Sequence, residues 1–113
     1  MIADSTMELY QCKLMVLHAA YKIDRGLDFT SEVSMAKHFV ANALGRIIDR
    51  AIQVHGALGY STDTPLASMF QQARWARFAD GADEVHQMRI AQRTIAAYRD
   101  HGSTRSATGD LPI

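Results

Sequence analysis

Apolar side chains recur at steps of three and four along most of the chain. Met7, Tyr10, Leu14, Leu17 and Tyr21 form the first stripe, and neither glycine nor proline interrupts it before Gly26. The spacing predicts a helix from about Ala3 to Arg25, closed by that glycine. Thr30 or Ser31 can accept free amide hydrogens at the start of a second helix, with Glu32 well placed against its positive end. The stripe Ala36, Val40, Ala43, Ile47, Ala51 and Val54, flanked by Phe39, Leu44 and Ile48, carries that helix to about His55.

A glycine-bearing connection, Gly56 to Asp63, follows. Thr64-Pro65 then reads as a cap with proline at the first helical position, where a missing amide hydrogen costs nothing. Leu66, Met69, Phe70 and Ala73 mark the inner face of a shorter third helix, with Arg74 and Arg77 near its end and Asp80-Gly81 breaking it. Val85, Met88, Ala91, Ile95 and Tyr98 give a fourth helix from about Ala82 to Arg99. With no strand signal left, the expected fold is all-α, an antiparallel four-helix bundle over residues 1–99. Residues 100–113 are small, polar and aperiodic, as in a disordered tail.

Composition narrows the functions available. Twelve basic and twelve acidic side chains cancel and alternate without blocks, which removes the footprint of a nucleic-acid or polybasic membrane binder. No apolar run approaches the roughly 18 residues of a membrane span, and the first residues carry neither a basic flank nor a signal core. Cys12 is the single cysteine and lies inside a helical pattern, so it reads as a small buried apolar residue. Small molecules and other proteins remain as partners.

Ionisable groups crowd at one junction, where Asp80, Asp83, Glu84 and His86 separate the third helix from the fourth. Asp83 and His86 are three apart and share a helix face, as carboxylate-x-x-His metal ligands do. A di-metal bundle needs a second such pair, and Glu8, Asp24, Glu32 and Asp49 do not supply one, so no metal site is expected. Acids at a helix start also serve as plain caps. Asp80 alone, on the loop before the helix, can instead be a catalytic base or an ordinary helix-entry residue, and physics does not choose between them. The small residues of the Gly56 to Asp63 connection suit either close approach to a phosphate or a simple cap and turn. His18, His38 and His101 are scattered and suggest no shared site.

The run Ala51-Ile52-Gln53-Val54-His55-Gly56-Ala57-Leu58-Gly59-Tyr60-Ser61-Thr62-Asp63-Thr64-Pro65-Leu66 resembles the acyl-CoA dehydrogenase pattern A-[IV]-Q-x-x-G-G-x-G-[FY]-x-x-[DE]-x-P-[LV]. Downstream, Ala79-Asp80-Gly81-Ala82-Asp83-Glu84-Val85-His86 is similar to a second landmark, written Y-E-G-T-x-Q-I-x in most members and A-D-G-x-D-E-V-H in one branch. Two landmarks at the right separation are more specific than either alone. The resemblance covers roughly residues 1–99.

The resemblance implies a FAD-dependent oxidoreductase that converts an acyl-CoA thioester to its trans-2-enoyl-CoA. Asp80 stands where the family's base removes the α-proton while the β-hydride passes to flavin. Most members carry Glu there, and the A-D-G branch keeps Asp. Gln53 and Gly56 match the segment that reaches the adenosine-diphosphate part of a neighbouring subunit's FAD, in a homodimer or homotetramer built through this domain. Gly81 and Glu84 fall at further cofactor-side positions. Ala57, Ala82 and Glu84 depart from the usual Gly, Thr and Gln, and a methyl at Ala57 crowds a phosphate approach. Members are several times longer than this chain, and the domains they add hold the isoalloxazine ring and much of the acyl-CoA. The isolated segment is therefore expected to be inactive, and a non-catalytic helical assembly module that binds no flavin by itself is the alternative. A bacterial cytoplasm or a mitochondrial matrix is the implied setting. Acyl-chain length and electron acceptor stay open.

Overall fold

The computed structural model describes residues 1–107, and the end of the expected tail, 108–113, lies outside them. Five helices follow in order: α1 (Ile2–Asp24), α2 (Thr30–His55), α3 (Ala57–Tyr60), α4 (Leu66–Trp75) and α5 (Asp83–His101). The described residues contain no strand. The all-helical reading and its four long stripes are borne out, and α3 adds one turn that the pattern did not show.

Local chemistry explains most of the boundaries. After α1 the Leu27 amide donates to the Lys22 carbonyl at 2.9 Å and the Gly26 amide to that of Ile23 at 3.0 Å. This is a Schellman stop, and Gly26 at φ 66° supplies its left-handed residue. Neither Thr30 nor Ser31 caps α2. Asp28 does the equivalent work through Oδ1, which accepts the Thr30 amide hydrogen at 3.0 Å, and the Ser31 hydroxyl accepts from Arg93 Nε at 2.7 Å. At α4 the cap position falls on Pro65, and the Thr64 hydroxyl turns back to the Leu58 carbonyl at 3.4 Å. α5 runs on to His101, two residues past Arg99, where Gly102 ends it in the left-handed region.

α2 is the hub. α1, α3, α4 and α5 all pack on it, whereas the backbones of α1, α4 and α5 do not approach one another. Cross-links fix the directions. Lys22 pairs with Glu32 at 2.7 Å, and Arg46 and Arg50 pair with Glu8 at 2.6 Å each, so α1 runs antiparallel to α2. Asn42 meets Asp83 while Ser31 meets Arg93, so α5 does too. The contacts close through small residues: Ala36, Ala41 and Ala43 of α2, Cys12 and Ala19 of α1, Ala73 of α4 and Ala97 of α5 are buried, with Ile48 the one large member. Cys12 is thus the small buried residue expected.

The large apolar stripes lie elsewhere. Met7, Tyr10, Leu14, Leu17 and Tyr21 of α1 are all exposed, as are Val85, Met88, Ile95 and Tyr98 of α5 and Val54 of α2. The large apolar stripes of α1 and α5 are amphipathic faces that the described residues do not cover. The radius of gyration, 16.7 Å, reflects this, since a compact domain of about 100 residues has a radius near 13 Å.

Candidate active site

α4 ends at Trp75, and a turn joins it to α5, which begins at Asp83. The base of that turn is bonded twice between the same two residues. The Asp83 amide donates to the Arg77 carbonyl at 3.0 Å, and Arg77 Nε donates to Asp83 Oδ2 at 2.7 Å. Asp80 stands midway between them, exposed, at φ 53°. A side chain with a Cβ rarely adopts that conformation, although Asp tolerates it better than most. No hydrogen bond ties the Asp80 carboxylate to the described residues, which leaves it able to meet a group from outside.

Beneath the turn, α2 supplies the anchors. The Lys37 ammonium donates to the Ala76 carbonyl at 2.7 Å and to the Gly81 carbonyl at 2.8 Å, on either side of Asp80. Asn42 Nδ2 donates to Asp83 Oδ2 at 3.0 Å. His38 Nδ1 stands 3.2 Å from Asp83 Oδ1, an ionic contact when the ring is protonated rather than an aligned hydrogen bond. Burial by itself raises the Asp83 pKa, but the hydrogen bonds from Arg77 and Asn42 and the contact with His38 outweigh it and hold the carboxyl at about 2.

His86 completes the floor. It is buried, and neither ring nitrogen has an aligned partner among the described residues. Burial pushes its pKa down and the Lys37 charge adds to this, while the Asp80 backbone works in the opposite sense. A Cβ on residue 81, where φ is 108°, would meet His86 Nε2 at 2.9 Å, so the ring and the backbone angle both demand glycine there. Gly81 therefore has a packing reason of its own. Glu84 lies exposed on the first turn of α5, close to Asp80 in the chain.

Gln53 and Gly56 are at the far end of α2, both exposed. Sixteen residues of helix separate Lys37 from Gln53, or about 24 Å. Gly56 leaves α2 at φ 60°, and α3 folds back so closely that a Cβ on buried Gly59 would meet the Ile52 carbonyl at 2.9 Å. Asp80 and Gly81 thus lie in the turn and Glu84 at the start of the helix that follows it, while Gln53 and Gly56 stand apart at the far end of α2.

Sequence reasoning placed Asp80 on its turn but missed Lys37, Asn42 and Arg77 as the residues that hold it. The only local signal lay in His38 and Asn42, four apart on one helix, where Asn42 also bonds the His38 carbonyl at 2.9 Å. Asp83 and His86 do share the buried face of α5, yet Asp83 turns to Arg77 and Asn42. Among the described residues no three His, Cys, Asp or Glu side chains gather as metal ligands. The histidines are less scattered than expected. His38 joins the Asp83 cluster, and His18 and His101 line one groove of about 480 Å³ with Lys22, Asp28 and Arg93. Among the described residues no helix is long and apolar enough to cross a membrane.

Comparison with known proteins assigns this architecture. The family profile described as "Acyl-CoA dehydrogenase, C-terminal domain" matches residues 1–95. Mouse "Acyl-CoA dehydrogenase family member 10" is 46% identical over 96 residues, which is 83% of this chain and 9% of that protein. The "(R)-benzylsuccinyl-CoA dehydrogenase" of Thauera aromatica is 38% identical over 101 residues, 88% of this chain and 25% of its own length. A solved structure of a putative acyl-CoA dehydrogenase from Mycobacterium abscessus superposes with a TM-score of 0.83 at 42% identity, covering 86% of this chain and 24% of that one. The chain spans a quarter or less of the length of these relatives. With the family profile and the solved structure in agreement, the chain belongs to the acyl-CoA dehydrogenase family, in which it matches the C-terminal helical domain.

Proposed function

We propose that this chain supplies the base for α,β-dehydrogenation of an acyl-CoA thioester to the trans-2-enoyl-CoA, within a complete flavin enzyme. The carrying observation is Asp80, a carboxylate unbonded among the described residues and presented at the apex of a turn that α2 pins from below. Asp80 removes the α-proton, and the electron pair left behind forms the Cα–Cβ double bond as the β-hydrogen departs with its own pair. FAD, when bound, supplies the two-electron acceptor for that hydride. Asp is one methylene shorter than the Glu of most members, and a base must come within about 3 Å of its proton. The backbone of residue 80 has to stand correspondingly closer to the substrate.

The two groups of candidate cofactor residues fit FAD in different ways. Gln53 and Gly56 are exposed and about 24 Å along α2 from the Lys37 anchor. That separation suits contact with the adenosine-diphosphate part of a neighbouring subunit's FAD while Asp80 serves its own subunit. Glu84, as an anion, suits a neutral donor on the adenosine side rather than a phosphate. The uncovered apolar faces of α1 and α5 suit burial against the remaining domains and against second copies in a homodimer or homotetramer. A bacterial cytoplasm or mitochondrial matrix is the setting that goes with this chemistry.

The complete enzyme, assayed with an artificial electron acceptor and a panel of acyl-CoAs, tests the reading. Asp80→Asn should remove nearly all turnover and leave the yellow flavin in place; undiminished turnover would sink it. The dispersed placement of Asp80 and Gln53 also favours a limit on the isolated chain, which acts alone only as a helical assembly unit. Purified 113-residue chain carrying stoichiometric absorbance near ~450 nm would contradict that limit, since an assembled site is needed to sequester the cofactor.

A further inference from the structure

We propose that Asp83 is the positioning residue for Asp80, acting through Arg77 and Asn42 to fix where the turn presents its carboxylate. The inference rests on the reading of Asp80 as the base. Three observations carry it. Arg77 and Asp83 are joined by a backbone bond of 3.0 Å and a side-chain bond of 2.7 Å, so the two stems of the turn cannot slide relative to each other. Asn42 donates to the same Asp83 oxygen at 3.0 Å, which fastens those stems to α2. Lys37 takes the carbonyls of Ala76 and Gly81, so the turn is held on both sides of its apex.

Burial separates the roles of the two aspartates. Asp83 is 4% exposed and its oxygens face Arg77, Asn42 and His38, whereas Asp80 is exposed and its carboxylate is unbonded among the described residues. A left-handed non-glycine residue persists where its surroundings over-determine it, and here four residues of α2 and α4–α5 do so. The arrangement answers the shortness of an aspartate base. A side chain with one fewer methylene has less freedom to search for its proton, so the backbone beneath it must be placed more closely. An ion pair at Arg77 and Asp83 achieves this, because both residues bracket Asp80 directly.

The test uses the complete flavin-loaded enzyme with the best substrate from a panel of saturated acyl-CoAs. Asp83→Asn keeps the shape of the side chain and removes its charge, and Arg77→Gln removes the other half of the bond. Each should lower kcat about 10- to 100-fold, the scale on which a misplacement near 1 Å acts, with KM within about 2-fold and flavin content unchanged. The double variant should be no slower than the slower single, because both changes break one interaction. Asn42→Ser is a gentler variant that keeps the Arg77 bond, and it should lower kcat about 3- to 10-fold. A kcat within about 2-fold of wild type in all three overturns the proposal. So does a fall that tracks lost flavin, or one in which the single effects multiply. Asp80→Asn measured alongside separates the two levels: full turnover there contradicts the base itself, while a dead Asp80→Asn beside an intact Asp83→Asn contradicts only the positioning.

Discussion

The turn between α4 and α5 and the outer faces of α1 and α5 are opposite kinds of surface. At the turn, the Ala76 and Gly81 carbonyls and Asp83 Oδ2 are matched by Lys37, Asn42 and Arg77, although both ring nitrogens of His86 lack an aligned partner among the described residues. On the outer faces, Leu17, Ile95 and Tyr98 are each more than 60% exposed. A short turn can be finished by local partners, because each polar group is satisfied by a small, fixed number of hydrogen bonds. An apolar face is finished only by area, and a chain that covers a quarter or less of its relatives' length has little area to offer. The difference teaches that the described residues pin the turn that carries the proposed base while leaving the outer apolar faces of α1 and α5 uncovered.

The largest effect should come from the finished region. Lys37→Met removes a cation from two carbonyls and should cost about 3 kcal/mol, since bonds to charged groups are worth roughly 1.5–3 kcal/mol each. Urea melts of the 113-residue chain measure this, and a cost below about 1 kcal/mol would mean that the turn is not pinned from α2. Next is Gly81→Ala, which sets a methyl against His86 at φ 108° and should cost about 1–3 kcal/mol; a neutral result would show that the ring moves aside freely.

A smaller change should follow pH. The folded His86 value lies below the unfolded value of about 6.5, so the folded chain binds fewer protons there. Its contribution is present above about 6.5 and is lost as pH falls beneath that. His86→Gln should flatten the melting profile in that window, and an unchanged slope would remove His86 from the account. Asp83 acts lower. Its folded value of about 2 against roughly 3.9 unfolded gives stability that is whole above about 3.9 and lost as pH falls through about 2.

The smallest effect belongs to the unfinished region. Leu17→Ser and Ile95→Ser should each change the stability of the isolated chain by no more than about 0.5 kcal/mol. In the complete enzyme the same changes should weaken assembly, read by sedimentation. A large loss in the isolated chain would mean that these faces are covered from within it.

The four long helices were legible because their apolar period persists for several turns and because Gly26 and Asp80-Gly81 punctuate it. The face each helix buries was not. Periodicity finds the apolar side of α1 at Leu14 and Leu17, but it cannot say whether α2 or another body covers that side. Here Ala19 and Cys12 meet α2 instead. The Thr64 cap failed for a similar reason, since the Leu58 carbonyl of the folded-back α3 competes for its hydroxyl. At the site, Asp80 could be placed by its register with the Gln53 to Leu66 segment. Lys37 and Asn42 could not, because they come to the turn from 39 to 44 residues away, a pairing that only the packing of α5 and α4 on α2 creates.

Anaerobic mixing of the complete enzyme with its acyl-CoA substrate, followed by the loss of flavin absorbance, tests the central claim most directly. Asp80→Asn should bind the thioester and keep its flavin, yet bleach about 10²- to 10⁴-fold more slowly than wild type, the range a positioned base contributes. Bleaching of Asp80→Asn at the wild-type rate would contradict the assignment of the base and, with it, the function proposed for the pinned turn.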